Sequence, residues 1–290
     1  MQAWKLTETG PFSKDRIQLT DAPVPDPEPD EVRIEVLACG VCHTDLHVIE
    51  ADVEPGKEHL TPGHQVVGRV DTINGPTDRF QPGDRVGVPW LHRTCGSCTD
   101  CEAGRENLCR QAEFTGCDVD GGFAPYMTAP IDFTHPIPGA LDPARTAPLL
   151  CGGVVGYRAL RLSEVEGDQR LGLYGFGSSA SMVIQVARDM GCECYVFTRS
   201  RHHMELAEEL GAVWTGRAED DPGVRMHSSI LFAPAGRLVP EALDQLRQGG
   251  TLAIAGIYLS PLPEMDYEVT GQRSVVMCET GTIQRIQLKA

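Results

Sequence analysis

Four cysteines fall within one short stretch: Cys95, Cys98, Cys101 and Cys109, in the run C-G-S-C-T-D-C-E-A-G-R-E-N-L-C. The spacing C-x2-C-x2-C-x7-C lets each thiolate bend back toward the others. Four sulfurs on one loop then close a tetrahedral site with no open position, which is how structural zinc is held. A set of buried or disulfide-bonded cysteines fits this spacing far less well. Because a closed site performs no chemistry, any reaction must be carried elsewhere in the chain.

The 290 residues suffice for two domains with a substantial core each. A net charge of −16 and a pI near 4.9 argue against nucleic acid and anionic membrane surfaces as partners. Only Lys5, Lys14, Lys57 and Lys289 are lysines; the other basic residues are arginines. Eleven cysteines would be a heavy load for a secreted protein of this size. Met1–Gly10 has no apolar core of signal-peptide length, and no apolar run approaches a membrane span. A reducing cytoplasm with thiolate metal sites is the expected setting.

The composition changes character near residue 160. Before it lie short β-like runs broken by Gly and Pro, such as Val32–Val36, Gln65–Thr72 and Asp84–Val88. The acidic, Pro-rich run Asp21–Asp30 cannot be a central strand or a helix. After it, strand and helix alternate. Strands are expected at Leu171–Tyr174, Tyr195–Thr198, Ser229–Ala233, Thr251–Ile257 and Ser274–Cys278. Helices are expected at Ser178–Met190, Arg201–Leu210 and Pro240–Gln248. This alternation implies a parallel sheet covered by helices, hence an α/β chain with a β-rich domain over 1–155 and a doubly wound domain over 156–290.

Three further metal-competent positions stand apart from the four-cysteine run. Cys42 lies in G-V-C-H-T-D-L-H, His64 in P-G-H-Q-V-V-G and Cys151 in L-L-C-G-G-V-V-G. Two cysteines and a histidine are a known ligand set for catalytic zinc, leaving the fourth position to water or substrate. Taken singly, each is more often a structural residue. Together, and in this order with the four-cysteine lobe between them, the motifs closely resemble the zinc-dependent medium-chain alcohol dehydrogenases from Met1 to about residue 275.

The resemblance implies a GroES-like catalytic domain joined to a Rossmann cofactor domain. It implies that Cys42, His64 and Cys151 bind catalytic zinc, that Cys95, Cys98, Cys101 and Cys109 bind structural zinc, and that each chain carries two zincs. Asp45 would orient the histidine ligand. Thr44 and His47 would relay the alcohol proton through the cofactor ribose toward solvent. His43 would face the cofactor pyrophosphate, and Trp90 and Leu91 would line the substrate pocket. Cys39, although in a C-x-x-C with Cys42, would be a buried neighbour, and Cys117, Cys192, Cys194 and Cys278 core residues. Gln65 departs from the family, where a glutamate follows the ligand histidine; zinc binding is expected to persist with altered exchange.

The run Leu171–Ala180 reads strand, then G-x-G-x-x-A, then helix. Gly175 permits the tight turn and Gly177 the close approach of a pyrophosphate, which would rest on the helix start at Ser178 and Ser179. The end of the next strand discriminates the cofactor. Thr198 stands where NAD sites carry an acidic residue, and Arg199 follows, a pair that favours the 2′-phosphate of NADP over NAD.

The expected reaction is hydride transfer between a primary or secondary alcohol, or the corresponding aldehyde or ketone, and NAD(P), with zinc polarising the substrate oxygen. Family members form dimers or tetramers, so a homo-oligomer is expected. The likeness fades after Arg273-Ser274-Val275, and Gly281–Ala290 does not resemble the returning segment of the catalytic domain. A truncated, catalytically impaired protein that still binds zinc and NADP is therefore the alternative.

Overall fold

The computed structural model describes residues 1–256, 259–265 and 272–278. The expectations for Ile257 and for Gly281–Ala290 lie outside the described residues. By contacts the chain divides into two units, Met1–Cys151 and Gly152–Ala290. The first unit therefore ends ahead of the expected residue 155, because a helix begins at Gly152.

The first unit is built from nine short strands: β1 (Gln2–Leu6), β2 (Ile17–Asp21), β3 (Glu31–Gly40), β4 (Gln65–Asn74), β5 (Arg85–Val88), β6 (Leu91–Arg93), β7 (Glu113–Phe114), β8 (Tyr126–Pro130) and β9 (His135–Pro136). Three helices join them: α1 (His43–Glu50), α2 (Thr99–Glu102) and α3 (Pro143–Thr146). Five strands form an antiparallel sheet in the order β8-β3-β4-β5-β9, while β1 pairs with β2 and β6 with β7. Alternation in β3 explains its face. Val32 and Ile34 are fully buried against Val66, Val86 and Met127, while Arg33 reaches outward to Asp71 at 2.6 Å. Burying each such branched side chain contributes about 1.5–3 kcal/mol relative to exposure. A second core gathers Val48, Ile49, Leu60, Trp90 and Phe114 around α1.

The register of β3 on β4 places the first site. Gly40 pairs with Gln65, so Cys42, just past the end of β3, comes beside His64, just before β4. The 3-10 turn Ala147–Leu150 packs Ala147 and Leu150 on Val67 of β4 and delivers Cys151 to the same end.

The second unit alternates α4 (Gly152–Leu162), β10 (Arg170–Tyr174), α5 (Ser178–Asp189), β11 (Glu193–Phe197), α6 (Arg201–Glu209), β12 (Trp214–Gly216), β13 (Met226–Leu231), α7 (Leu238–Asp244), β14 (Leu246–Ile254) and β15 (Ser274–Met277). All six strands are parallel, in the order β12-β11-β10-β13-β14-β15. This is the doubly wound 3-2-1-4-5-6 arrangement, with the strand order reversing between β10 and β13. Strand β11 ends at Phe197, one residue short of the expected Thr198. Strand β12 was not expected from the sequence; with three residues, it carries too little alternation to read. Strand β14 starts at Leu246, earlier than the expected Thr251, because Leu246 pairs with Met226 across a register shift.

Candidate metal centres and nucleotide site

Cys42 caps α1. Its extended backbone (φ −139°) lets the thiol sulfur accept the Thr44 N–H at 3.3 Å, while Asp45 Oδ2 accepts the Cys42 N–H at 2.8 Å. A reciprocal cap of this kind contributes about 1 kcal/mol and fixes the cap residue's backbone. The other oxygen of Asp45 lies 3.1 Å from His64 Nδ1. A carboxylate only accepts, so Nδ1 carries the hydrogen of this bond and Nε2 is the ring atom left to face Cys42. Asp45 is 2% exposed and His64 1%, so this orientation is held away from water.

His64 Nε2 lies 3.5 Å from Cys42 Sγ, and Cys151 Sγ lies 3.9 Å from Cys42 Sγ. Zinc bonds of about 2.3 Å to sulfur and about 2.0 Å to nitrogen, at tetrahedral angles, require edges of about 3.8 Å and about 3.6 Å. Both edges from Cys42 therefore stand at the spacing zinc needs, and the three ligand atoms all lie within 4.8 Å of one another. The chain's own charges organise them further. A hydrogen bond from the Cys151 thiol, with His64 and the Thr44 side chain, holds Cys42 down to about 3 against the effect of burial. Burial opposes a charged His64, yet Asp45 and Cys42 raise it to about 9. The Cys42 thiolate and burial push Cys151 far above the usual thiol range. A metal entering this group displaces the protons of His64 and Cys151.

The second group lies in one loop. Cys95 and Cys101 sulfurs are 3.9 Å apart, Cys98 and Cys101 3.5 Å, and Cys95 and Cys109 3.5 Å. Backbone N–H groups of Ser97 and Cys98, with Cys109, lower Cys95 to about 6. Among the described residues these are the two groups of three or more His, Cys, Asp or Glu ligand atoms close enough to share an ion. Cys39 lies outside both; burial raises it to about 12 and keeps it a thiol. Cys117, Cys192, Cys194 and Cys278 are buried and also lie outside them.

The remaining first-unit positions divide. Thr44 is buried one residue from the exposed His43 and two from Cys42. His47 Nδ1 pairs with Asp52 Oδ2 at 2.9 Å, a partner that sequence reading missed. Trp90 is an edge-on neighbour of His64 at 5.0 Å and stacks on Phe114 at 5.0 Å, so its ring buttresses the histidine; Leu91 beside it is half-buried. A cavity of about 510 Å³ elsewhere in this unit, lined by Arg69, Arg79 and Phe80, includes none of these residues.

In the second unit Gly175 adopts φ +85°, where a side chain would also meet Ala233 N at 2.9 Å. Gly177 caps α5, and the space above it is open. No side chain caps α5, so its first turn, at Ser178 and Ser179, offers the uncapped N–H groups of a helix start. Thr198 is buried and its hydroxyl accepts the Ser200 N–H at 3.4 Å; Arg199 is exposed.

Residues 28–139 match the family model described as the alcohol dehydrogenase GroES-like domain. The "Probable alcohol dehydrogenase AdhA" of Mycobacterium tuberculosis is 45% identical over 273 residues, covering 92% of this chain and 79% of that protein. The chain belongs to the medium-chain alcohol dehydrogenase family. An alcohol dehydrogenase of Geobacillus stearothermophilus is 36% identical over 260 residues, covering 86% of this chain and 76% of that relative. Among solved structures, a cinnamyl alcohol dehydrogenase of Sorghum bicolor superposes with a TM-score of 0.85 at 26% identity, covering 97% of this chain and 83% of that one. A protein of Sinorhizobium meliloti 1021 bound to NADP, named only as a zinc-binding dehydrogenase, gives 0.84 at 27%, covering 95% and 83%. The span matched by the family model includes Cys42, His64 and all four lobe cysteines and stops short of Cys151.

Proposed function

We propose that the protein is a zinc-dependent alcohol dehydrogenase with two zincs per chain. The convergence of Cys42, His64 and Cys151, with both edges from Cys42 matching tetrahedral zinc, carries this reading. Bound there, zinc supplies a Lewis acid that makes the substrate oxygen acidic, and a bound nicotinamide supplies or accepts the hydride. Asp45 keeps His64 in the ligating tautomer, and Trp90 holds its ring from the edge. Thr44 takes the alcohol proton at Oγ1, and His47, paired with Asp52, is the base that receives it toward solvent. His43 and the first turn of α5 at Gly177, Ser178 and Ser179 bind the anionic part of the cofactor. The four-cysteine lobe holds its metal for structure alone.

NADP is the preferred cofactor. An acidic residue would accept from a ribose hydroxyl and repel a phosphate; Thr198 carries no charge to repel one, and the exposed Arg199 can pair with it. Substrates are small alcohols and the corresponding carbonyl compounds.

Metal analysis should return two zincs per chain. A screen of primary and secondary alcohols, aldehydes and ketones should show turnover, faster with NADP(H) than with NAD(H). Arg199→Ala should lower kcat/KM for NADP by roughly tenfold, one charge-assisted hydrogen bond's worth, and leave NAD little changed. Two bound zincs without turnover on any substrate would sink the enzymatic reading and leave a zinc- and dinucleotide-binding protein.

A further inference from the structure

Asp120 lies outside every motif discussed above, yet it is tied to the backbone that carries His64. Its Oδ1 accepts the Thr61 N–H at 2.6 Å. Thr61 is 2% exposed and leads through Pro62 and Gly63 to the histidine. The residues after Asp120 continue the attachment. Gly121 N–H donates to Thr61 O at 2.7 Å, Gly122 to Gly63 O at 2.8 Å and Phe123 to Pro62 O at 3.0 Å. The Asp120–Phe123 segment therefore bonds every residue from Thr61 to Gly63.

The contact is too close for side chains. A Cβ on Gly121 would stand 2.0 Å from Gly63 O, and one on Gly116 2.7 Å from Gly63 N. Gly63 itself adopts φ +98°, a conformation that a side chain resists. The His64 backbone is thus set in a mould rather than on a flexible loop.

Charge marks Asp120 within that mould. Lys5 and Lys57 reach its Oδ2 at 3.1 and 2.9 Å. These are two of the four lysines in a chain that otherwise uses arginine. An ordinary exposed pair contributes little, but the bond to Thr61 joins an ionised acceptor to a buried amide. Burial raises the carboxyl, and Thr61 with the two lysines outweighs it, so Asp120 stays ionised with its acceptor in place.

We propose that Asp120 is a positioning residue for the His64 ligand. It acts through the Thr61–His64 backbone, and the lysine pair keeps its carboxylate in register. The role rests on the reading that Cys42, His64 and Cys151 hold zinc. It predicts an effect on that centre and none on the four-cysteine lobe.

The test uses the full-length protein loaded with cobalt(II), whose absorption distinguishes a site with two sulfurs and one nitrogen from one with four sulfurs. Release to a chelator is followed at both bands. Asp120→Ala should release cobalt from the three-ligand centre about 10–100-fold faster, the usual range for losing an orienting partner, with four-sulfur release unchanged. Asp120→Asn, whose amide oxygen can still accept from Thr61, should recover most of the difference. Lys5→Met with Lys57→Met should show a few-fold effect at the same centre. Wild-type release rates in Asp120→Ala would overturn the proposal. So would equal acceleration at both sites, because that marks a general loss of stability. Wild-type protein that takes up four-sulfur cobalt alone would instead sink the zinc reading of the three-ligand centre, and this role with it.

Discussion

The two candidate metal centres are built by opposite strategies. The four-cysteine lobe draws all its ligands from Cys95–Cys109, and two of the four are only half-buried. The three-residue centre draws Cys42, His64 and Cys151 from separate segments, and Asp45 holds both Cys42 and His64 from behind. A local loop can close on a metal with little help. A centre meant to keep an open position needs its ligands fixed before the metal arrives, because the metal's own geometry is left incomplete.

Breaking a ligand of each centre is the strongest test of this contrast. Cys42→Ser should reduce turnover by roughly a thousandfold or more, equivalent to several kcal/mol of lost transition-state stabilisation, with circular dichroism unchanged and metal content falling from two to one. Cys98→Ser in the lobe should do the reverse. The melting temperature should fall by roughly 10 °C, a loss of several kcal/mol for a chain this long, while molecules still folded at low temperature keep their kcat. Turnover lost equally in both variants would erase the distinction.

Smaller changes sharpen it. Asp45→Asn should weaken metal binding at the three-ligand centre by about 10–100-fold without touching the lobe, as read by competition with a chromogenic chelator.

The smallest effect concerns His92 in β6, between Trp90 at the first centre and Cys95 at the second. Burial, with the Arg93 guanidinium, lowers His92 to about 4, and its Nδ1 is buried without a partner among the described residues. The unfolded state therefore binds a proton that the folded state refuses. The associated stability is present above the ordinary histidine value of about 6.5 and is lost as pH falls from there toward about 4. About 1 kcal/mol should disappear between about pH 7 and about pH 5.5. Chemical denaturation of wild type and His92→Gln at the two pH values should show a shallower loss in the variant. Equal slopes would remove His92 from the account.

The lobe and the glycine turn at Gly175–Gly177 could be read directly, because each is complete within a short stretch whose spacing encodes its geometry. The run Val32–Val36 found the first half of β3, and the apolar run Leu171–Tyr174 found β10 to within a residue. The edges were harder: β12 has three residues, and β14 begins where Leu246 finds Met226 across the sheet. The site divided in the same way. Spacing alone presented Cys39 and Cys42 as equals, and only the turn after Gly40 sends one sulfur to His64 and leaves the other a thiol, half-buried rather than buried as expected. Asp52 and Asp120 carried no signal at all, since an aspartate in a loop reads as solvated surface until its partner is known.

The sequence by itself determined the local chemistry: a loop of four thiolates, a turn shaped for a pyrophosphate, a histidine and two cysteines able to bind zinc, and the family those motifs belong to. Tertiary structure decided which of these meet and what holds them. The Gly40–Gln65 register brings Cys42 to His64, the turn packed on Val67 delivers Cys151, and Asp45 and Trp90 fix the imidazole. The reason is physical: spacing along the chain limits only nearby atoms, whereas groups far apart in sequence meet through sheet register and core packing, which the whole fold sets at once.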